Sequence, residues 1–389
     1  MATPGKKPVV LHIGDPIKYN PDTYAAFSTA FDVIRPSAAE RQRPEFIRAL
    51  KDRRWGDFSA IFRPFWSTGG EMGKWDAELI SLLPASCRVF ASAGAGFDWA
   101  DTKLLGERGV IYCNGGLAAA ESVADFAVAL VISTFRHLAW SVAAAVIPPL
   151  TSSDPADAEA AFRFSHEHEV FHSHNPRGHA LGLIGLGKIG QLVADKLGNP
   201  SMGMVLHYYD VVRRPEADEK RMGLTYHPSL ASLLAASDCA VLCTPASADG
   251  KPLINAAALA SMKPGGRFVN IARGSLVDED ALADALESGR VSAAGLDVHA
   301  DEPRVSKRLL EFAGAQLKSA GPQGGKIGPD GKAINPGRVL LTCHNAGGTV
   351  ETHIGFEELA MRNIMAVLEG KQAITPVNMH FLNKKDSKL

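Results

Sequence analysis

The 389-residue chain has no charge excess: 41 Lys and Arg face 42 Asp and Glu, a formal net charge of −1. A nucleic-acid partner requires a basic face, so none is expected. Cysteine is scarce, with 5 residues at Cys87, Cys113, Cys239, Cys243 and Cys343. An odd number without framework spacing excludes a disulfide scaffold. Most of these residues sit in or beside apolar strand-like runs, as reduced core thiols do in a reducing or intracellular compartment. Long uncharged apolar runs are missing too. The most apolar long stretch, Ser122 to Leu138, carries Asp125 and Arg136 and reads as a buried helix. No stretch offers the roughly 20 uncharged residues of a membrane span. The lysines of Met1 to Pro8 lead into no apolar core, which argues against secretion. No repeat of solenoid length is present. What the chain does have is 46% hydrophobic residues, enough for ordinary cores, and a length that suits two domains or three.

Strand and helix signals alternate along the first third. Apolar runs at Val9–Ile13, Asp32–Arg35, Phe58–Phe62, Arg88–Ser92 and Val110–Cys113 are separated by helical patterns at Asp22–Phe31, Pro44–Arg53, Asp76–Leu83 and Asp101–Arg108. A polar connection, Thr151–His179, precedes a second series at Ala180–Ile184, Met204–Tyr209, Cys239–Cys243, Arg267–Ile271, Ala293–Leu296 and Val339–Thr342. Strands spaced by helices form βαβ units. The expected fold is therefore α/β, with two doubly wound parallel-sheet domains. An amphipathic helix is expected over Thr349–Leu368, and the Gly/Pro/Lys-rich stretch near 313–337 reads as an exposed insertion.

Gly185-Leu186-Gly187-Lys188-Ile189-Gly190 matches G-x-G-x-x-G, a weak signal by itself. Its context strengthens it: a strand leads in, a helical stretch leads out, and Asp210 ends a second strand 20 residues after the last glycine. Gly185 permits the tight turn, Gly187 admits a pyrophosphate, and Gly190 lets helix pack on strand. The helix N-terminus offers N–H groups and a positive dipole end to the phosphates. Asp210 suits ribose hydroxyls and repels a 2′-phosphate, so NAD is favoured over NADP. Arg213 and Arg214 blur that preference, because arginines beyond this position can cradle the phosphate.

Further segments carry polar residues at strand C-termini, where open α/β sheets bind ligands. They are Asn270-Ile271-Ala272-Arg273-Gly274, Gly295-Leu296-Asp297-Val298-His299-Ala300-Asp301-Glu302-Pro303 and Thr342-Cys343-His344-Asn345-Ala346-Gly347-Gly348. An Arg, a Glu and a His at one rim suit hydride transfer to a 2-oxo acid: the carboxylate needs a cation and the developing alkoxide a proton.

On these motifs the chain resembles the D-isomer-specific 2-hydroxyacid dehydrogenase family over nearly its whole length. His174–His179 and Ser92–Trp99 look most like the fungal mandelate-dehydrogenase-type branch. The resemblance implies a flavodoxin-like substrate domain, residues 1–121 and 345–389, with a Rossmann NAD-binding domain, 122–344, inserted. It implies Arg273 on the substrate's carboxylate and carbonyl, His344 as proton donor in reduction and base in oxidation, and Glu302 holding the imidazole in its charged form. Asp297 is expected to hold the nicotinamide carboxamide, with Gly185, Gly187, Lys188, Ile189, Gly190, Asp210, Thr244, Pro245 and Ile271 completing the NAD contacts. The family also implies a homodimer. Asn345 and Ala346 depart from the apolar and small residues usual after the histidine. Glu302 and His344 stand 42 positions apart, wider than usual, yet a surface loop lengthens at little entropic cost.

Gly94-Ala95-Gly96 lacks a third glycine, so no second cofactor site is expected; the amides of Ala95 and Gly96 suit the substrate carboxylate. Phe65, Trp66, Phe97 and Trp99 suggest a pocket for a bulky or aromatic 2-oxo/2-hydroxy acid, with core packing as the alternative. His166, His168, His172 and His174 invite a metal reading, but the run is polar and has no matching Cys, so no metal is expected. Ser387-Lys388-Leu389 is a peroxisomal address read by the import receptor, with a cytoplasmic location as the alternative. That address raises glyoxylate/hydroxypyruvate reduction as a rival activity. An NAD-sensing corepressor-like binding protein is the rival of another class.

Overall fold

The computed structural model describes residues 7–65, 68–151, 153–247, 250–313, 326–327, 333–334 and 337–382. The chain divides into two compact units, Met1–Ala120 with Gly347–Leu389, and Glu121–Ala346.

The first unit holds a parallel sheet of β1 (Val9–His12), β2 (Asp32–Ile34), β3 (Ala60–Arg63), β4 (Val89–Ser92) and β5 (Ile111–Cys113), in the order β2-β1-β3-β4-β5. Every residue of β3 and β4 is buried. A strand covered on both faces reads as an unbroken apolar run, which is why these were legible without alternation. Successive side chains still go to opposite layers. Leu11, Ile61 and Phe90 pack with Trp75 and Phe46 on one side, and Val10, Phe62 and Ala91 with Phe27 on the other. The second layer is closed by Met361, Ile364 and Val367 of the helix Val350–Leu368.

The second unit holds β6 (Ala180–Ile184), β7 (Val205–Tyr209), β8 (Leu224–Tyr226), β9 (Cys239–Leu242), β10 (Gly266–Asn270) and β11 (Val291–Leu296). A two-residue antiparallel ladder of β12 (Lys326–Ile327) and β13 (Ala333–Ile334) follows, and β14 (Val339–Leu341) completes the large sheet. The large sheet runs β14-β11-β10-β9-β6-β7-β8, all parallel. Chain order reverses between β6 and β9, the switch point outside which doubly wound sheets bind ligands.

Several expectations change. The connection read as polar from Thr151 contains a helix, Pro155–His168, started by the Asp154 side chain on the Ala156 amide and by proline in the first turn. Ser122–Leu138 is not one helix. The chain runs helically over Gly116–Arg136, breaks at His137 in a left-handed conformation (φ 46°), and resumes over Leu138–Thr151. By length and composition Gly116–Arg136 would suffice to cross a membrane. In this fold Leu130, Val131 and Phe135 are buried, and the guanidinium of Arg267 lies 4.1 Å from the Phe135 ring. The insertion near 313–337 contains the β12–β13 ladder, and at its end a side chain on Gly337 would lie 2.5 Å from the Trp140 backbone. The remainder of that insertion, Trp66 and Ser387-Lys388-Leu389 lie outside the described residues. All five cysteines are free; Cys87, Cys113 and Cys239 are buried, and burial pushes each thiol up to about 12.

Candidate active site

The glycine-rich turn joins β6 to the helix Lys188–Gly198. Gly185 adopts φ 92°, and a Cβ there would lie 2.8 Å from Thr244. A Cβ on Gly190 would lie 2.4 Å from the Gly185 carbonyl oxygen, so helix and turn pack too closely for any other residue. A Cβ on Gly187 would meet nothing within 4 Å. The helix start at Gly187 has no side-chain cap, which leaves the backbone donors of its first turn to another partner. Thr244, beyond the C-terminal end of β9, buries a hydroxyl oxygen that has no partner among the described residues. Pro245 beside it is exposed and Ile271 is buried. At the end of β7 the Asp210 carboxylate accepts the Leu186 amide at 2.7 Å, tying the acid to the glycine turn.

The other turns follow β10, β11 and β14, which are neighbours in the sheet. Asn270, fully buried, accepts the Ala272 amide at 2.9 Å and donates to the Arg273 carbonyl at 2.9 Å. This fixes the bend from which Arg273, half-buried, extends. Gly274 follows, and a Cβ on it would sit 1.9 Å from the His299 carbonyl carbon. The Arg273 turn and the turn after β11 therefore meet backbone to backbone. Gly274→Ala is expected to dislocate both and to lower kcat/KM by more than about tenfold while the chain still folds, as checked by kinetics beside circular dichroism.

Glu302 closes the second turn. Its Oε1 accepts the His299 amide at 3.0 Å, and its Oε2 meets His344 Nδ1 at 2.8 Å. The 42-residue separation thus vanishes in space. Burial opposes ionisation of Glu302, but the His344 hydrogen bond and the His299 amide outweigh it and hold the carboxyl below its ordinary value. His344 stands in a left-handed conformation (φ 52°), sparsely populated for a side-chain-bearing residue.

Asp297 explains how that conformation is held. Its carboxylate, 1% exposed, accepts the Thr342 hydroxyl at 2.7 Å and the Asn345 and Ala346 amides at 2.9 Å each. Its carbonyl accepts the His344 amide at 2.7 Å. In the structure the carboxylate of Asp297, expected from the sequence as a nicotinamide contact, carries the turn on which His344 stands. His299, a residue the motif reading passed over, bonds the Thr342 carbonyl through Nε2 at 2.7 Å. Asn345 and Ala346, the departures from the usual pattern, hold the turn through their backbone amides.

The remaining expected residues lie elsewhere. Ala95 and Gly96 belong to the first unit, where Gly94 adopts φ 90°, its carbonyl accepts the Gly115 amide at 2.7 Å, and Asn114 donates to the Ala95 carbonyl at 2.8 Å. Phe97 and Trp99 contact the buried Tyr112 ring, each at 6.0 Å between centroids, so core packing accounts for them. Phe65 contacts His353 at 5.8 Å. His168 packs on Phe164, His172 on Trp140 and His174 on His179, and among the described residues no group of three or more potential ligands could hold a metal.

A family model for the NAD-binding domain of D-isomer specific 2-hydroxyacid dehydrogenases matches residues 153–318. Among solved structures, holo D-mandelate dehydrogenase of Rhodotorula graminis is similar at a TM-score of 0.83 and 38% identity, covering 96% of this chain and 98% of that one. A glyoxylate reductase from Paecilomyes thermophila is similar at 0.77 and 30%, covering 97% and 100%. The 4-methyl-2-oxopentanoate reductase A of Aspergillus oryzae is 30% identical over 336 residues, 86% of this chain and 88% of its own.

Proposed function

The chain belongs to the D-isomer specific 2-hydroxyacid dehydrogenase family, and we propose that it interconverts a bulky or aromatic D-2-hydroxy acid with its 2-oxo acid, using NAD(H). The observation that carries the chemistry is the 2.8 Å pair of His344 Nδ1 with Glu302 on a turn clamped by Asp297. The dinucleotide fits the glycine turn: open space at Gly187, an uncapped helix start and the Thr244 hydroxyl all suit a polar ligand. Lys188, Ile189, Gly190 and Asp210 complete its expected contacts, with Pro245 and Ile271 flanking. NAD(H) supplies or accepts the hydride.

The protein's own residues do the rest. Arg273 binds the substrate carboxylate and polarises the carbonyl oxygen, as a guanidinium fork suits both. Glu302 occupies Nδ1 of His344, which leaves Nε2 to exchange the proton. In reduction Nε2 gives its proton to the carbonyl oxygen as the alcohol forms; in oxidation it takes that proton back. Ala95 and Gly96 are assigned to the carboxylate through their amides.

The bulky-substrate reading draws on the mandelate and 4-methyl-2-oxopentanoate enzymes to which the chain is similar. Glyoxylate reductases among its relatives favour the rival. A panel of 2-oxo acids decides: phenylglyoxylate and branched acids are expected to exceed glyoxylate and pyruvate in kcat/KM, and an equal or higher value for glyoxylate transfers the assignment. Exposed Val142, Val146, Phe162, Val170 and Phe171 support the expected homodimer, which sedimentation would show. Ser387-Lys388-Leu389 supports peroxisomal import. A fluorescent protein carrying this C-terminal tail is expected in peroxisomes, and deletion of Leu389 is expected to leave it in the cytosol.

A further inference from the structure

The two arginines beyond Asp210 have different partners. Arg213 lies between β7 and the helix Glu216–Met222, and its guanidinium is bidentate on Glu219, with Nε to Oε1 at 2.9 Å and Nη2 to Oε2 at 2.8 Å. The same guanidinium lies 5.0 Å from the Tyr226 ring. Arg214 turns instead to Gln191 of the fingerprint helix at 3.3 Å, with Asp218 at 3.9 Å.

Glu219 is an unusual surface-helix carboxylate because it is only 6% exposed. Tyr208, fully buried in β7, donates its hydroxyl to Oε1 at 2.6 Å and accepts the Arg214 amide at 2.9 Å. The Arg213 and Tyr208 hydrogen bonds drive the Glu219 carboxyl down to about 2, so it stays charged at any working pH. Arg213 is therefore held by an anion anchored on the sheet itself. The Nε–Nη2 edge, one of the two edges of a guanidinium that can chelate an oxyanion, is filled, and the charge is offset by the carboxylate. The Asp210 carboxylate meanwhile stands at the end of the same strand, tied to the Leu186 amide. A 2′-phosphate arriving there meets the Asp210 carboxylate and an Arg213 guanidinium already paired with Glu219.

We propose that Glu219 is a specificity-determining residue: by holding Arg213 it withdraws the cation that would receive a 2′-phosphate, and so keeps the site selective for NAD over NADP. The inference rests on the dinucleotide reading of the glycine turn. It also accounts for Arg213, which reads as NADP-compatible in sequence, standing beside a site expected to take NAD.

The test is isothermal titration calorimetry of the full chain with ADP-ribose and with 2′-phospho-ADP-ribose, which needs no turnover. The unaltered chain is expected to prefer ADP-ribose. Glu219→Gln is expected to raise affinity for the 2′-phosphorylated ligand about tenfold, the size of one charge-assisted contact, with ADP-ribose affinity unchanged. Adding Arg213→Ala should abolish the gain. Arg213→Ala alone should leave both affinities as they were, because Arg213 is already withdrawn, and this holds even if Glu219→Gln does not fold. An unchanged 2′-phospho affinity in Glu219→Gln, a gain that survives loss of Arg213, or a loss of 2′-phospho affinity in Arg213→Ala alone would each overturn the proposal. If neither ligand binds the unaltered chain, the dinucleotide reading itself falls and the inference falls with it.

Discussion

Replacing His344 by glutamine is expected to lower kcat for reduction of the best 2-oxo acid about a thousandfold, with KM changed little, because a positioned acid–base group contributes about 10²–10⁴ in rate. Glutamine retains a hydrogen-bonding group near Glu302 but cannot deliver a proton. Steady-state kinetics would show it. Glu302→Gln is the companion variant. Its amide oxygen can still accept from Nδ1, so the ring stays placed while its counter-charge is gone. The Glu302 carboxyl lies below its ordinary value in the folded protein. Its contribution to stability is therefore present above the unfolded carboxyl's pKa, about 4.3, and lost as pH falls through the depressed folded value. Urea-unfolding midpoints of the two proteins should differ at neutral pH and converge in acid. A gap that persisted unchanged at low pH would mean that the carboxylate charge is not what holds His344.

The second large effect is at Arg273. Arg273→Lys keeps a positive charge but loses the planar fork, and kcat/KM for the 2-oxo acid is expected to fall about 10²–10³-fold, as for loss of an oxyanion donor. Arg273→Ala should fall further. If lysine restored most of the activity, charge alone would suffice and the bidentate role assigned to Arg273 would be wrong.

The parts of the site that were legible in sequence are those whose chemistry is local. Gly185 and Gly190 announce themselves because a tight turn and a close helix each exclude a side chain, with Gly187 between them leaving an open approach, all within six residues. Arg273, Glu302 and His344 could be placed at strand ends because buried parallel strands read as plain apolar runs. The clamp that sets His344 was not legible. It joins Asp297 to the backbone amides of Asn345 and Ala346, across the insertion, and backbone donors leave no mark on residue identity. His299 was missed for a similar reason, since its partner is the Thr342 carbonyl.

In the fold, the helix Pro155–His168 reads as a connection because half of its residues are polar and only Ala161 and Ser165 are buried. Asp154-Pro155 was the available start signal. The strand Leu224–Tyr226 is three residues long, too short for alternation to show. The break at His137 has neither glycine nor proline to mark it; its buried imidazole bonds the His172 carbonyl at 3.2 Å, a contact 35 residues away. The sequestering of Arg213 by Glu219 lies between these cases. The residues are only six apart, but the buried Tyr208 hydroxyl that anchors the pair is visible only once β7 is in place.

The most direct test of the account is to follow NADH consumption with phenylglyoxylate and to resolve the product by chiral chromatography. Stoichiometric formation of the D-2-hydroxy acid, lost in the His344→Gln protein, is the predicted result. No consumption with any 2-oxo acid in a protein that binds ADP-ribose, or formation of the L-acid, would contradict it.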